Sequence, residues 1–173
     1  MLVYLDSSAI VKRYIEEIGS DSVDLLYKAL EEDSEPTLLF SSWNLGEVFG
    51  AIDIRYRRGD IDEKSKAEAL RLLSGETKKF VAMRRLNVLP IGSKSLTRAR
   101  NHILKYHVYQ ADALQLASAT QARSELFVSA DRKLIDCAKS EGLKTANPEK
   151  DHDLIQVVIA ERFKPEGTKR ERV

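Results

Sequence analysis

The chain has 173 residues, 43% of them apolar and 32% charged, with a formal net charge of +1 at pH 7. That balance provides a core and a solvated surface for one domain, and it excludes a disordered chain, which lacks the apolar residues needed to offset ordering entropy. The single cysteine, Cys137, excludes an internal disulfide and a cysteine-based zinc site, no apolar stretch nears the roughly 20 residues of a spanning helix, and Met1 to Asp6 lack a signal peptide's basic leader and long apolar core.

In chain order, Leu2-Val3-Tyr4-Leu5 is a short apolar run that stops at Asp6, the pattern of a buried parallel strand. Asp6-Ser7-Ser8 brings capping chemistry, so a helix through Ala9 to Tyr14 follows, and Ser22 to Glu32 forms an amphipathic second helix that Pro36 breaks. Thr37 to Phe40 reads as a strand, and Ser41-Ser42 caps a helix reaching Arg58. After the Gly59-Asp60 turn, Ile61 to Met83 forms a long helix, making a helical hairpin with the one before it. Asn87 to Ile91 is a strand, Ser93 to Tyr106 and Ala111 to Arg123 are helices, Leu126 to Ser129 a strand, and Asp131 to Ser140 a helix stopped near Gly142. Leu143 to Ala146 gives a last strand. Leu154 to Ala160 fits either a helix or an edge strand. Strands alternating with helices imply a parallel sheet covered on both faces. The near-zero charge does not advertise a nucleic-acid binder, and the basic excess from Arg162 to Val173 reads as a solvated terminus.

Ligands of an open parallel sheet bind beyond the carboxyl ends of its strands. Asp6 follows the first strand, Asp131 follows Phe127-Val128-Ser129, and Asp112 opens a helix. Each alone is a plausible cap or first-turn acid. Glu47 is not: it lies among Leu45, Val48, Phe49 and Ala51, where a Glu is seldom buried without a partner, and Gly46 and Gly50 leave space beside it. Two carboxylates about 4 Å apart repel by roughly 4 kcal/mol at an effective dielectric near 20. If the four acids converge they need a counter-charge, and an all-oxygen set selects Mg²⁺ or Mn²⁺.

Leu5-Asp6-Ser7-Ser8-Ala9-Ile10-Val11-Lys12, Glu47 in its helix, Ala111-Asp112-Ala113-Leu114-Gln115-Leu116-Ala117-Ser118-Ala119 and Phe127-Val128-Ser129-Ala130-Asp131 resemble, in order, the four acidic motifs of PIN-domain ribonucleases. Within that family the chain is most similar to the toxins of VapBC-type toxin–antitoxin pairs. The resemblance covers about Met1 to Pro148. It implies an α/β fold, a three-layer α/β/α sandwich with a central parallel sheet of about five strands. It also implies Mg²⁺-dependent endonuclease cleavage of RNA, with Mn²⁺ able to substitute, leaving a 5′-phosphate and a 3′-hydroxyl. Carried over by position, Asp6, Glu47 and Asp112 are the core metal ligands, and Asp131 is the fourth acid, binding a second metal or acting through water. Ser8 is the small polar residue that holds the first aspartate, and Ser129 the hydroxyl near the site. Residues 1–148 are then the nuclease domain and 149–173 a C-terminal extension, a helix or edge strand followed by a charged tail. Expected partners are an RNA substrate, a cognate antitoxin and a second copy in a homodimer. The antitoxin is expected to insert a helix near the helical hairpin and to place a basic side chain among the carboxylates. The expected location is cytoplasmic, with no membrane association.

Other signals are discounted. His102, His107 and His152 have no metal-helix spacing and read as surface residues. Trp43 and Phe49 read as core, and Arg55, Arg57 and Arg58 as a solvated helix end favoured by the dipole. The glycines of a hydrolase nucleophile elbow and of a Walker loop are absent. Alternatives to the toxin are a PIN nuclease of RNA processing or DNA flaps and a non-catalytic RNA- or protein-binding module of the same fold. A phosphorylation receiver expects paired acids after the first strand, where only Asp6 stands.

Overall fold

Polar residues at the ends of short apolar runs set the architecture by closing strands and opening helices. The computed structural model describes residues 1–32 and 37–162, the side chains of 161 and 162 excepted. The Pro36 break and the charged tail lie outside these residues. β1 (Leu2–Leu5) ends at Asp6, whose carboxylate accepts the Ala9 amide and starts α1 (Ser7–Ile10), continued by a 3₁₀ turn at Val11–Arg13. α2 (Ser20–Glu31) precedes β2 (Thr37–Ser41). A reciprocal cap between Ser41 and Asn44 then opens α3 (Ser42–Arg58). Gly59, at φ 81°, ends α3 in the left-handed conformation that glycine adopts without steric cost, and α4 (Glu63–Ala82) packs on α3 as the expected hairpin. β3 (Leu86–Leu89), α5 (Ser93–Tyr106), α6 (Gln110–Gln121), β4 (Leu126–Val128), α7 (Arg132–Ser140) and β5 (Lys144–Ala146) follow. The segment beyond Asn147-Pro148 is a helix, α8 (His152–Arg162), which packs on α2.

The five strands are all parallel, in the order β3-β2-β1-β4-β5. Side chains alternate across such a sheet, and each face has its own core. Val3, Leu5, Leu38, Phe40, Leu126 and Val128 join one cluster with residues of α1–α4 and α8, including Phe80 and Ile155. Tyr4, Leu39 and Phe127 join the other with residues of α5–α7, and the Tyr4 and Phe127 rings stack at 5.6 Å. Fully burying side chains of this size contributes about 1.5–3 kcal/mol each. The result is the three-layer α/β/α sandwich that the motifs implied. Among the described residues no helix is long and apolar enough to cross a membrane.

Two expectations are corrected. Trp43 and Phe49 are 43% and 42% exposed, because the inward stripe of α3 runs through Asn44, Val48 and Ile52, leaving residues 43 and 49 on its flanks. His102 is buried rather than superficial. It shares the inward stripe of α5 with Ser95 and Ala99, stacks on Tyr106, and holds Nδ1 3.7 Å from Glu141. His107 and His152 are exposed as expected, and so are Arg57 and Arg58.

The chain builds β1, β2 and β3 outward to one side, then crosses to β4 on the other side of β1. That reversal opens a crevice at the carboxyl ends of β1 and β4. Asp6 emerges from one strand there, and Ser129 to Asp131 from the other.

Candidate metal centre

Asp6 is 2% exposed, and its carboxylate is fixed from three directions. Oδ1 accepts the Ser8 hydroxyl at 2.7 Å and the Ala9 amide at 2.9 Å, and Oδ2 accepts the Ser129 hydroxyl at 2.7 Å. Burial pushes the carboxyl up to about 6, partly opposed by these three donors, with the Asp131 charge raising it a little further. The two serines also set the neighbouring loop: Ser8 Oγ accepts the Ala130 amide at 2.8 Å, and Ser129 Oγ accepts the Asp131 amide at 3.0 Å. Asp131 Oδ1 accepts the Leu134 amide and caps α7. The capping role expected of Asp6 and Asp131 is therefore real, and it coexists with their place at the crevice.

Glu47 is half-buried on α3. Its Oε2 accepts the Ser7 hydroxyl at 2.5 Å and the Gln115 amide nitrogen at 2.9 Å. Burial raises its carboxyl, the Ser7 hydroxyl and then the Trp43 side chain oppose this, and the Asp112 charge adds to the rise. Asp112, in the first turn of α6, is also half-buried. Its carboxyl is raised by burial and then by the Asp131 charge, and lowered by the Tyr109 backbone amide and then by Lys133. The acids thus influence one another in a chain: Glu47 with Asp112, Asp112 with Asp131, and Asp131 with Asp6.

Three further residues brace the site, and the sequence reading passed over them. Ser7, adjacent to Asp6, bonds to Glu47 on α3 and not to Asp6 itself. Asn44 Nδ2 donates to Gln115 Oε1 at 2.6 Å, the Ser7 amide donates to the same oxygen at 3.1 Å, and the Tyr4 hydroxyl donates to Asn44 Oδ1 at 2.8 Å. Asn44 and Gln115 are both buried. A signal was available: each is an amide on an apolar helix stripe, three residues from an acid, Asn44 before Glu47 and Gln115 after Asp112.

Among the described residues no three carboxylate, imidazole or thiol side chains stand close enough to hold one metal ion between them. The donor chemistry nevertheless fits a hard divalent cation. All four acids offer oxygen, and among the described residues none of them makes an ion pair with lysine or arginine. Asp6 uses three of a carboxylate's roughly four acceptor sites, which leaves one for a ligand.

The family model described as PIN domain matches residues 3–140. Comparison with curated proteins gives no match. Among solved structures, the chain is similar to FitAcB from Neisseria gonorrhoeae, with 15% identity and TM-score 0.60 over 86% of this chain and 99% of that one. It is similar to VapBC2 from Rickettsia felis bound to a promoter DNA fragment, with 16% identity and TM-score 0.56 over 85% and 98% of the two chains. A third is VapC20 from Mycobacterium tuberculosis, described as a sarcin–ricin loop cleaving toxin, with 13% identity and TM-score 0.54 over 78% and 93%. At these identities the likeness is one of fold.

Proposed function

This chain belongs to the PIN domain family, and from that premise we propose that it is a divalent-metal-dependent endoribonuclease, the toxin of a toxin–antitoxin pair. The observation that carries the reading is Asp6, buried at the β1–β4 crevice and without an ion pair among the described residues, with the Asp131 charge acting on it and those of Asp112 and Glu47 following in the same chain of acids. Asp6, Glu47 and Asp112 would hold Mg²⁺ or Mn²⁺, and Asp131 would hold a second ion or orient water. Such an ion supplies Lewis-acid polarisation and charge stabilisation for phosphodiester hydrolysis. The chain's own residues keep the donors in place: Ser8, Ser129 and the Ala9 amide lock the Asp6 rotamer, while Ser7 and Gln115 do the same for Glu47. Fixed donors of this kind reduce the reorganisation needed when charge develops on phosphate.

A cognate antitoxin is part of the same proposal. Among the similar structures VapC20 is described as a toxin, and VapBC2 bears the name of the toxin–antitoxin pairs that the motifs resemble. On this chain Trp43 and Phe49 lie part-exposed on the helix that carries Glu47, where an apolar partner helix could cover them while a basic side chain met the carboxylates.

The test is RNA cleavage by the wild type, Asp6→Asn and Asp112→Asn with Mg²⁺, with Mn²⁺ and with EDTA, equal folding being established by circular dichroism. Cleavage by the wild type alone, lost in EDTA, is expected. Cleavage that persists in EDTA or in Asp6→Asn would sink the proposal.

A further inference from the structure

Beside the acids the structure presents an aromatic side chain that the core does not use. Tyr109 is 82% exposed, more than any other large apolar side chain among the described residues. It occupies the cap position of α6, where its carbonyl accepts the Ala113 amide at 2.9 Å, one turn from Asp112. The short loop that carries it is anchored on both sides. His107 ends α5 in a left-handed conformation, at φ 52°, and its carbonyl accepts the Lys133 ammonium at 2.6 Å. Val108 is buried in the α5–α7 core. An exposed ring held on a pinned loop loses little conformational freedom when something stacks on it.

The first turn of α7 adds charge of an unexpected sign. Arg132 and Lys133 are exposed at the positive end of the helix dipole, where cations are disfavoured. Among the described residues neither makes an ion pair with an acid, although the Lys133 charge lowers the Asp112 carboxyl. They adjoin Asp131, whose charge reaches both Asp6 and Asp112. A local preference broken at the edge of a candidate site points to a ligand of opposite charge.

We propose that Tyr109, Arg132 and Lys133 form a ledge for single-stranded RNA, with a base next to the scissile phosphate stacked on the Tyr109 ring and flanking phosphates on the two cations. The ledge rests on the nuclease reading and names its substrate class. Aromatic stacking beside basic side chains suits single strands, whose bases expose their faces. A second copy of this chain is the poorer occupant, because a symmetric contact through this patch would set Arg132 and Lys133 against their own copies.

Binding is measured in an Asp6→Asn background, which keeps the substrate intact, by fluorescence anisotropy of a fluorescein-labelled mixed-sequence RNA of about 12 nucleotides, near the site sizes of single-strand binders. Tyr109→Ala is expected to weaken binding roughly 5- to 150-fold, whereas Tyr109→Phe and Tyr109→Trp stay within about threefold. Arg132→Gln is expected to reduce the slope of log affinity against log salt by about 0.7. In the otherwise wild-type enzyme, Tyr109→Ala should raise KM far more than it lowers kcat. Unchanged binding and KM in Tyr109→Ala, with cleavage still lost in Asp112→Asn, would overturn the ledge and leave the nuclease standing. A Tyr109→Ala change in molar mass by light scattering, tracking the loss of RNA binding, would assign the ring to a contact between copies and overturn it too. A wild type that neither binds nor cleaves RNA overturns both readings.

Discussion

Asp6→Asn is expected to stabilise the metal-free protein at neutral pH while abolishing the proposed RNA cleavage. The carboxyl has its pKa raised by burial from 3.8 to about 6. At about 1.4 kcal/mol per tenfold change in proton affinity, its ionisation inside the fold costs about 3 kcal/mol. The folded state holds this proton more tightly than the unfolded chain, so between pH 4 and 6 it binds more protons and stability falls as pH rises. Asparagine keeps the oxygen that accepts from Ser8 and Ala9 and turns its amide toward Ser129, so part of the gain is lost in rearranging one hydrogen bond. The expected net gain is about 1–3 kcal/mol at pH 7.5 in EDTA, or roughly 2–4 °C in Tm per kcal/mol for a chain of this size. The gain should vanish near pH 4. A divalent ion bound at a hundredfold excess over its Kd would stabilise the wild type by about 2.7 kcal/mol and close or invert the gap. Urea and thermal unfolding of both proteins from pH 4 to 7.5, with EDTA and with Mn²⁺, measure all of this. A variant no more stable than wild type at pH 7.5 in EDTA, or a difference that does not change with pH, would refute the electrostatic account of Asp6.

Three further outcomes follow from the same contacts. Gln115→Leu removes the partner shared by Asn44, Ser7 and Glu47, and should cost about 1–3 kcal/mol in urea unfolding and weaken Mn²⁺ binding by calorimetry. Gly19→Ala should destabilise by more than about 1 kcal/mol, since φ is 90° there and an added Cβ would meet the Pro148 backbone at 2.8 Å, the contact that seats the start of the C-terminal segment on α2. Unchanged unfolding of Gly19→Ala would contradict that packing. Burial lowers the His102 imidazole, with Glu141 opposing, so the unfolded chain binds the proton more tightly and stability falls as pH drops below about 6.5. His102→Phe should flatten this acid limb. An unaltered limb would place the loss elsewhere.

The sequence by itself determined which segments up to Ala146 become strands and helices and, within a few residues, where they stop, while only the structure made Leu154 to Ala160 a helix. Leu2 to Leu5 closing on Asp6, Ser41 capping α3, Gly59 ending it and Asp131 opening α7 are contacts within three or four residues, so periodicity and capping chemistry report them directly. The motifs also placed Asp6 and Asp131 at strand ends, because a parallel βα unit delivers the residue after each strand to the same edge of the sheet. Tertiary structure decided which side chains those acids meet. Ser7 reaches Glu47 across 40 residues, Gln115 reaches Ser7 across 108, and Ser129 reaches Asp6 across 123. It decided the strand order, which makes β1 and β4 neighbours, and the burial of His102 with the exposure of Trp43, Phe49 and Tyr109. A helix's pattern shows that it has an apolar stripe, but which residues flank it and what covers them depend on how neighbouring elements pack.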